Sequence, residues 1–516
     1  MQIGSIGRRE LLTGMAGLGL AAILPSSPRA ATPKAGGHFT IGTADFATSD
    51  NLDPTVANTR MQLYLQWQIR NNLIEVGPGG VLIPELAESW EGSEGAKRWV
   101  FKLRKGVEFH NGKTFTARDA AFSIDLHRKQ GTKSVVQPFA APIEDIKATS
   151  DSELEIRLKD GNVNFPSILA LYAFNIVQDG DPNFDKGIGT GGYRLESFEP
   201  GIRSRVQRNP NYWKEGRAHF DSVEILCIKD VTARTSALMS GKIHAYNFVD
   251  LNTVKSLTQN PKIRVQRVAG KAHYVFPMLT DVAPFNDNDV RLAMKYAIDR
   301  EDVLKRVLNG YGTVGNDQPI SPAYEFFASE LPQRKYDPEK AKYHLKKAGA
   351  EGLAVQLHVS EVPFAGATNA ALLYREHAAK AGIKIEVVRE PEDGYWDNVW
   401  SKKSFCAARW SGRINEDAMC GTAYSAEALK TGWNETHFNN DQLNKLLVQA
   451  RTEFDKAKRR EMYVEIQKII RDEGGSVIPV FADFVDAVTS RIAHGDKLSA
   501  EWDMDGGRAS ERWWFA

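Results

Sequence analysis

Three consecutive segments indicate the fold of this chain: Leu86-Ala-Glu-Ser-Trp90, Phe101-Lys-Leu-Arg-Lys-Gly-Val-Glu-Phe-His-Asn-Gly112 and Phe115-Thr-Ala-Arg-Asp119. Apolar and polar residues alternate from Trp99 to Arg104, which is typical of a half-buried strand. The spacing of Thr116 and Asp119 is that of a capping box, which predicts the start of a helix. A strand, a glycine-containing turn and a capped helix therefore follow one another here, as in a mixed α/β fold.

The same mixture continues along the chain. Alternation predicts a strand over 154–158, and a more continuous apolar run predicts a central strand over 223–228. Helices are predicted after Asp residues that can cap them, by the pattern of apolar residues that follows. These segments begin at Asp289, Asp299, Asp337 and Asp455. No internal repeat interrupts this organisation.

Composition excludes several classes of protein. A chain of 516 residues is longer than one core usually supports, so two or three domains are expected. The 66 basic and 65 acidic residues nearly cancel, which argues against a dedicated nucleic-acid binder. Three cysteines exclude a disulfide-rich scaffold, and Cys406 and Cys420 either pair or stay as buried thiols. The common hydrolase, zinc-protease and redox motifs are absent, so no enzyme is expected.

Residues 1–31 have the layout of an export signal. Arg8 and Arg9 precede an apolar segment over 11–24, which is too short to cross a hydrocarbon layer of about 30 Å. A region rich in small residues follows and is suited to cleavage. The paired arginines resemble the twin-arginine signal. The mature protein is therefore expected to be a soluble monomer in the periplasm.

Four later segments complete a pattern that matches a known family. They are Gly189-Thr-Gly-Gly-Tyr-Arg-Leu195, Arg208-Asn-Pro-Asn-Tyr-Trp213, Asp289-Val-Arg-Leu-Ala-Met-Lys-Tyr-Ala-Ile-Asp-Arg300 and Tyr336-Asp-Pro-Glu-Lys-Ala341. With the opening segments, they resemble the large periplasmic solute-binding proteins of ABC importers, the oligopeptide, dipeptide and nickel-binding class called family 5. The resemblance implies an α/β, two-lobed periplasmic-binding-protein fold of type II. The implied fold is that of the large three-domain class, which has a hinge and a cleft between the lobes.

The resemblance also implies domain boundaries and a mechanism. Domain I is expected to be discontinuous, over 32–78, 185–268 and 482–516, with domain II inserted at 79–184 and domain III at 269–481. A protein of this kind holds a solute in the cleft, closes on it and docks on a membrane permease. It performs no chemistry, and no cofactor is expected.

One stretch is the most informative about the cargo: Arg409-Trp-Ser-Gly-Arg-Ile-Asn-Glu-Asp-Ala-Met419. In the family, a segment that begins with Trp lines the cleft and ends in acids, commonly Asp-Pro-Asp, that can hold a peptide's amino terminus. Here Glu416 and Asp417 stand at that place without the proline. A guanidinium such as that of Arg413 can grip a carboxylate with two parallel hydrogen bonds. The alternative is that Asp417 or Asn415 caps a short helix and Arg413 pairs with Glu416.

Aromatic residues near this stretch are further candidates, because a cleft that accepts varied side chains needs rigid flat walls. Aromatic residues at helical spacing also serve as core. The full set of predicted ligand-binding residues is Trp410, Arg413, Glu416, Asp417, Arg409, Trp396 and Trp400.

Two other motifs are better explained as structural. The segment 187–192 matches G-x-G-x-x-G, but an alternating strand pattern follows it instead of a helix, so a turn is favoured over a nucleotide site. His110 has no second His or Cys at ligand spacing, so a turn or packing role is favoured over a metal site. The expected cargo is a small peptide or an amino-acid-derived solute. Opines, oligosaccharides and nickel chelates are the alternatives, and a secreted enzyme or a sensory protein is less favoured.

Overall fold

The computed structural model describes residues 33–180 and 183–516, and the predicted export signal lies outside them. The strands are β1 His38–Thr43, β2 Ile74–Val76, β3 Leu82–Pro84, β4 Ala87–Ser93, β5 Arg98–Leu103, β6 Ile143–Ser150, β7 Glu153–Leu158, β8 Tyr193–Glu199, β9 Arg203–Arg208, β10 Ser222–Cys227, β11 Ala245–Tyr246, β12 Ile263–Pro277, β13 Gly312–Val314, β14 Ala354–Val359, β15 Lys384–Arg389, β16 Ala408–Trp410, β17 Ser476–Thr489, β18 Ile492–Ala493 and β19 Trp514–Phe515.

The helices alternate with these strands in the order expected of an α/β protein. They are α1 Arg60–Ile69, α2 Ala117–Asp125, α3 Gln137–Ala140, α4 Phe165–Ile168, α5 Val231–Met239, α6 Val254–Thr258, α7 Asn288–Tyr296, α8 Arg300–Val307, α9 Pro338–Lys347, α10 Ala367–Ala379, α11 Tyr395–Asn398, α12 Glu416–Tyr424, α13 Ala426–Lys430, α14 Asp441–Thr452, α15 Lys456–Glu473, α16 Asp503–Gly506 and α17 Ala509–Arg512. No helix in these described ranges is long and apolar enough to span a membrane.

One large sheet runs through both lobes of the molecule. Its strand order is β16-β12-β17-β11-β1-β10-β9-β8, and β13 pairs with β17. We call residues 33–268 and 482–516 the first lobe and residues 269–481 the second lobe. The central strands β1 and β10 are parallel, and their alternate residues Phe39, Ile41, Val223 and Ile225 are buried in the core of the first lobe. The fold is therefore two-lobed, as the sequence predicts.

Two long antiparallel strands, β12 and β17, pass from one lobe to the other. Their register shifts between Val268 and Ala272. Gly270 lies in this irregularity, where a Cβ atom would come within 2.2 Å of the Ala482 carbonyl oxygen, so only glycine allows this approach. The predicted domain boundaries at 268/269 and 481/482 fall inside this crossing. The division into three domains stays a prediction.

An insertion in the first lobe forms a separate antiparallel sheet in the order β4-β5-β7-β6. Trp99, Phe101 and Leu103 of β5 are buried on one face, as the alternation predicts. The predicted capping box is present, because the Thr116 backbone N–H donates to Asp119 Oδ2 at 2.8 Å. A local sequence signal is therefore sufficient to place this strand and helix.

Three of the four predicted helix caps are present in the second lobe, whereas Asp287 caps α7 instead of Asp289, which lies in the first turn and donates its N–H to Asp287 Oδ1 at 2.7 Å. Asp299 accepts from the N–H of Asp302 at 3.0 Å, and Asp337 accepts from the N–H of Lys340 at 2.9 Å. Asp455 caps α15 in the same way. These bonds satisfy N–H groups that the first turn of a helix leaves without partners.

The segment that resembles a nucleotide motif is a turn. Cβ atoms at Gly189 and Gly191 would lie 2.0 Å and 2.4 Å from backbone atoms of Ile69, so the chain passes too close for any side chain. Burial lowers the pKa of His110 to about 4, and its Nε2 lies 3.0 Å from the Gly191 carbonyl oxygen. His110 therefore has the predicted packing role.

The three cysteines are free thiols in this structure. Cys406 and Cys420 are buried, and burial raises the pKa of both. Of the two alternatives that the sequence leaves open, the structure has the buried thiols.

Candidate functional site

A cavity of about 640 Å³ lies between the two lobes, next to the point where β12 and β17 cross. The first lobe contributes Phe248, Asp486 and Asp503 to its lining, and the second lobe contributes Tyr274 and Arg409. The volume falls within the range of about 300–1,000 Å³ that is typical of sites for small molecules. Closure or opening of the lobes would change this space directly.

Arg409 is the cavity residue with the clearest unused binding capacity. It lies on the edge strand β16, opposite Tyr274 of β12, and its side chain is exposed. Within the described residues, it forms no ion pair and no hydrogen bond through its guanidinium. The walls of the cleft desolvate Arg409 although its side chain reaches solvent, and this desolvation lowers its pKa. Tyr274 opposes the shift, and the positive charge of Arg60 adds to it. A guanidinium in this state is ready to bind an anionic group.

A flat aromatic surface lies beside Arg409. The rings of Tyr274 and Phe364 stack with centroids 3.8 Å apart and an interplanar angle of 9°. From the first lobe, Phe248 is 41% exposed although it is a large apolar residue. Rigid rings of this kind provide contact area to a ligand at a small cost in conformational entropy.

The facing wall of the first lobe is a hydrogen-bonded group around Asp503. Arg60 Nε donates to Asp503 Oδ2 at 2.8 Å, and the Tyr64 hydroxyl donates to Asp503. Asn247 in turn donates to the Tyr64 hydroxyl oxygen at 3.0 Å. The guanidinium of Arg60 also lies over the Trp502 ring, 4.5 Å from its centroid. These contacts fix both charges of the Arg60–Asp503 pair in place.

Asp486 lines the same wall and is almost fully buried. Its Oδ2 accepts from the Met504 N–H at 2.7 Å, and its Oδ1 has no partner among the described residues. Burial, together with the negative charge of Asp503, raises the pKa of Asp486 well above its ordinary value. Burial and the negative charge of Asp503 therefore both disfavour the charged form of the Asp486 carboxyl group.

A left-handed turn holds this wall. Met504 and Asp505 have φ values of 51° and 59°, and Gly506 and Gly507 have 68° and 79°. Two consecutive non-glycine residues with positive φ are strained, so the surrounding bonds must hold them. One of these bonds is the contact of Met504 with Asp486. The strain is therefore located directly at the cavity.

Of the seven predicted ligand-binding residues, Arg409 is the one found in the cavity lining formed by the described residues. Successive residues of a strand point to opposite faces, so Trp410 enters the core of the second lobe instead. Its indole N–H donates to Glu435 Oε1 at 2.8 Å, and Trp400 donates to the same carboxylate. Arg413 lies over the Trp410 ring at 5.0 Å.

The predicted acids have partners within the protein. Glu416 accepts from the N–H of Phe326 at 2.6 Å, and Asp417 accepts from Arg451 Nε at 2.8 Å. Burial raises the pKa of both carboxyl groups. Asn415 caps α12 by accepting from the N–H of Ala418 at 2.8 Å, as the alternative interpretation states.

The remaining predicted residues lie elsewhere in the second lobe. The Arg413 guanidinium donates to the carbonyl of Gly412 at 2.8 Å, and no ion pair joins it to Glu416 in the described structure. Trp396 is 43% exposed and contacts Trp400 edge-on. A role in ligand binding for the six residues outside the cavity stays a prediction.

Most residues of the cavity lining leave no recognisable signal in the sequence. Phe248, Tyr274, Asp486 and Asp503 come from separate parts of the sequence and share no local motif. One signal was available for Arg409, because alternation along a strand places Arg409 and Trp410 on opposite faces. The two residues could not both line the same cavity wall.

Comparison with known proteins agrees with this architecture. The model of the middle region of bacterial extracellular solute-binding proteins, family 5, matches residues 81–426. The chain belongs to this family of extracellular solute-binding proteins.

Individual relatives differ in what they bind. The chain is 27% identical over 442 residues to heme-binding protein A of Haemophilus influenzae, covering 79% of this chain and 80% of that one. It is 26% identical over 464 residues to the dipeptide-binding protein of Escherichia coli, covering 82% of this chain and 85% of that one. A solved structure, the periplasmic binding protein DppA of Helicobacter pylori with peptide STSA, has a TM-score of 0.74 at 22% identity. The match covers 94% of this chain and 99% of that one.

Proposed function

We propose that this protein is the periplasmic binding component of an ABC importer, and that it captures a small peptide or an amino-acid-derived solute between its lobes. The observation that carries the proposal is the cavity of about 640 Å³ with Arg409 in its wall, an arginine that forms no ion pair with the residues that the structure describes. Membership of the family and the likeness to peptide-binding relatives support it. The closed, loaded form would deliver the solute to a membrane permease.

The cavity has the chemistry that such a solute requires. A free carboxylate can form two parallel hydrogen bonds with a guanidinium, as Arg409 offers. The stacked rings of Tyr274 and Phe364 would cover apolar side chains of varied shape. A cargo bound with micromolar to nanomolar affinity needs about −8 to −12 kcal/mol, which enclosed charge pairing and apolar burial together can provide.

Three other cargo classes fit the same family: opines, oligosaccharides and nickel chelates. Arg409 favours a cargo with a carboxylate over a neutral oligosaccharide. The proposal includes no catalysis, no resident cofactor and no nucleic-acid partner. It includes export through the predicted signal at 1–31 and action as a monomer.

A thermal-shift screen tests the proposal. Mass spectrometry of the solute released from purified protein should first identify the class of cargo. Di- and tripeptides, opines, oligosaccharides and nickel chelates are then added to ligand-free protein. A ligand that binds the folded form raises the melting temperature, with about 2.7 kcal/mol of stabilisation at a hundredfold excess over Kd. A shift with oligosaccharides alone would contradict the peptide assignment.

A further inference from the structure

The two lobes also touch each other away from the cavity, at a corner of the second lobe. Helix α14 ends at Thr452 and α15 begins at Lys456, and residues 451–454 at this corner lie against the insertion of the first lobe. The Val163 N–H of the insertion donates to the Arg451 carbonyl oxygen at 2.8 Å. Neither residue belongs to the cavity lining that the described residues form.

This backbone hydrogen bond caps a helix of one lobe with a group of the other. The last four carbonyl groups of a helix have no partner within it, and the Arg451 carbonyl is one of these in α14. Val163 supplies the missing donor from the first lobe. When the lobes separate, both groups must exchange this partner for water.

An apolar contact lies beside the backbone bond. The ring of Phe454 packs against that of Trp99 with centroids 6.4 Å apart and an interplanar angle of 43°. Gly92 of β4 pairs with Trp99 of β5, and a Cβ atom at Gly92 would lie 3.0 Å from the Phe454 ring. The missing side chain at Gly92 therefore leaves room for the ring. Phe454 is 49% exposed here, and separation of the lobes would expose its covered half as well.

Further contacts lie along residues 160–167 of the insertion. Asn415 Nδ2 at the start of α12 donates to Ser167 Oγ at 2.7 Å. A Cβ atom at Gly161 would lie 3.1 Å from the methyl carbon of Thr452, so the two lobes are in close contact at this point. Strands β12 and β17 run through both lobes and stay paired when the lobes move, whereas these contacts must break. They are therefore present only when the lobes are together.

We infer that residues 451–454 and Asn415 of the second lobe form a latch with residues 160–167 and the Gly92–Trp99 pair of the first lobe. The latch consists of protein groups alone and lies outside the cavity, so it favours the closed form whether or not a solute is bound. It therefore changes the affinity for every solute by one common factor and does not select among them. Only this statement about affinity rests on the proposed function.

Hydrogen exchange read at single amides by mass spectrometry tests the latch in the ligand-free protein. The Val163 amide should be protected in the wild type, and Phe454→Ala should accelerate its exchange by about 3- to 10-fold, because the variant loses the covered ring contact. The Asn162 N–H donates to the Ala96 carbonyl within the first lobe at 3.1 Å, so its exchange should not change. Small-angle X-ray scattering should show a larger radius of gyration for Phe454→Ala.

Two further variants separate the latch from local effects. Asn415→Ser keeps an oxygen that can cap α12 and removes the group that donates to Ser167, so it should accelerate exchange at Val163 by about two- to fivefold. Val448→Ala is the matched control, because Val448 is an apolar residue of α14 that is 62% exposed. Its removal should leave exchange at Val163 and the radius of gyration unchanged.

Calorimetric titration with alanyl-alanine and alanyl-phenylalanine measures the effect on affinity. Phe454→Ala should weaken the binding of both dipeptides by one common factor. This factor should be no larger than the acceleration of exchange at Val163, because both report the same equilibrium between open and closed forms.

A Val163 amide that exchanges in the ligand-free wild type as fast as an unprotected amide would overturn the inference. So would unchanged exchange in Phe454→Ala, or a loss of affinity that differs between the two dipeptides. If the dipeptides bind and exchange does not respond, the latch fails and the peptide proposal stands. If exchange responds as expected and neither dipeptide binds the wild type, the peptide proposal fails and the latch stands.

Discussion

The cluster around Glu85 and the cavity around Arg409 contain the same kinds of charged side chain, but only the first is balanced within the protein. Lys214 Nζ contacts Glu75 at 2.5 Å, Glu85 at 2.7 Å and Glu511 at 3.0 Å. Arg508 contacts Glu85 at 2.8 Å and Glu511 at 3.0 Å. Although the three carboxylates are close enough to hold a metal ion, these cations occupy the positions around them.

The pKa shifts express the same balance. Burial alone would raise the pKa of Glu75, but Lys214 and Arg508 outweigh it and hold the pKa well below its ordinary value. In the cavity, desolvation raises the pKa of Asp486 and lowers that of Arg409, and neither group has an ion-pair partner among the described residues. Partners inside the protein therefore hold a buried group in its charged form, and a charged group without such a partner keeps binding capacity for a ligand.

The largest expected effect is on the balanced cluster. Glu85→Ala would leave Lys214 and Arg508 with unpaired positive charge in the interior, which typically costs about 3–5 kcal/mol of stability. Chemical denaturation should measure this loss in the free energy of unfolding. Glu85→Gln, which keeps the shape, is the control and should lose less. A loss of less than about 1 kcal/mol in Glu85→Ala would contradict the prediction that Glu85 is needed to balance the charges of Lys214 and Arg508.

A second test concerns a buried acid without a cation. Burial raises the pKa of Glu435 from its ordinary value of 4.5 to about 7, although Trp400 and Trp410 donate to it. Because the folded state binds this proton more tightly, stability should fall as the pH rises from about 4.5 to 7, by up to about 3 kcal/mol. Chemical denaturation should give the free energy of unfolding of the wild type and of Glu435→Gln at several pH values in this range. The difference between the two proteins should be smaller at low pH than at high pH. Parallel curves would contradict the prediction.

The smallest effect is expected for a pair that is partly exposed. Asp417 contacts Arg451 at 2.8 Å, and the Arg451 side chain is 38% exposed. Because solvent screens such a pair, Asp417→Asn should cost only about 1 kcal/mol of stability. Its affinity for a dipeptide should not change. A loss of that affinity in calorimetry would instead support the sequence prediction that Asp417 binds the amine of the cargo.

Local signals in the sequence account for much of the fold. The alternation in β5, the capping box of α2 and the caps at Asp299 and Asp337 each depend on residues a few positions apart. Such signals act through the backbone near them, so the sequence reveals them directly. The resemblance to the family then predicts how the elements are arranged.

The cavity depends on contacts that the sequence does not display. Arg60 and Asp503 are 443 residues apart and form one pair. Glu416 and Asp417 look like free acids in the sequence, but Phe326 and Arg451 reach them only through the tertiary structure. Whether a charged side chain has a partner decides its role, and partners at this distance leave no local pattern.

Helix α17 and strand β19 belong to the first lobe, although they follow the second lobe in the sequence. This arrangement limits the order in which the two lobes can fold during synthesis. Trp513 is fully buried and packs near Phe39 of β1, while Arg508 and Arg512 pair with acids at positions 75 and 85. The second lobe is one continuous segment, so it can fold as a unit once its residues have left the ribosome. The first lobe, although it is made first, can complete its core only after the ribosome has released the C-terminal segment.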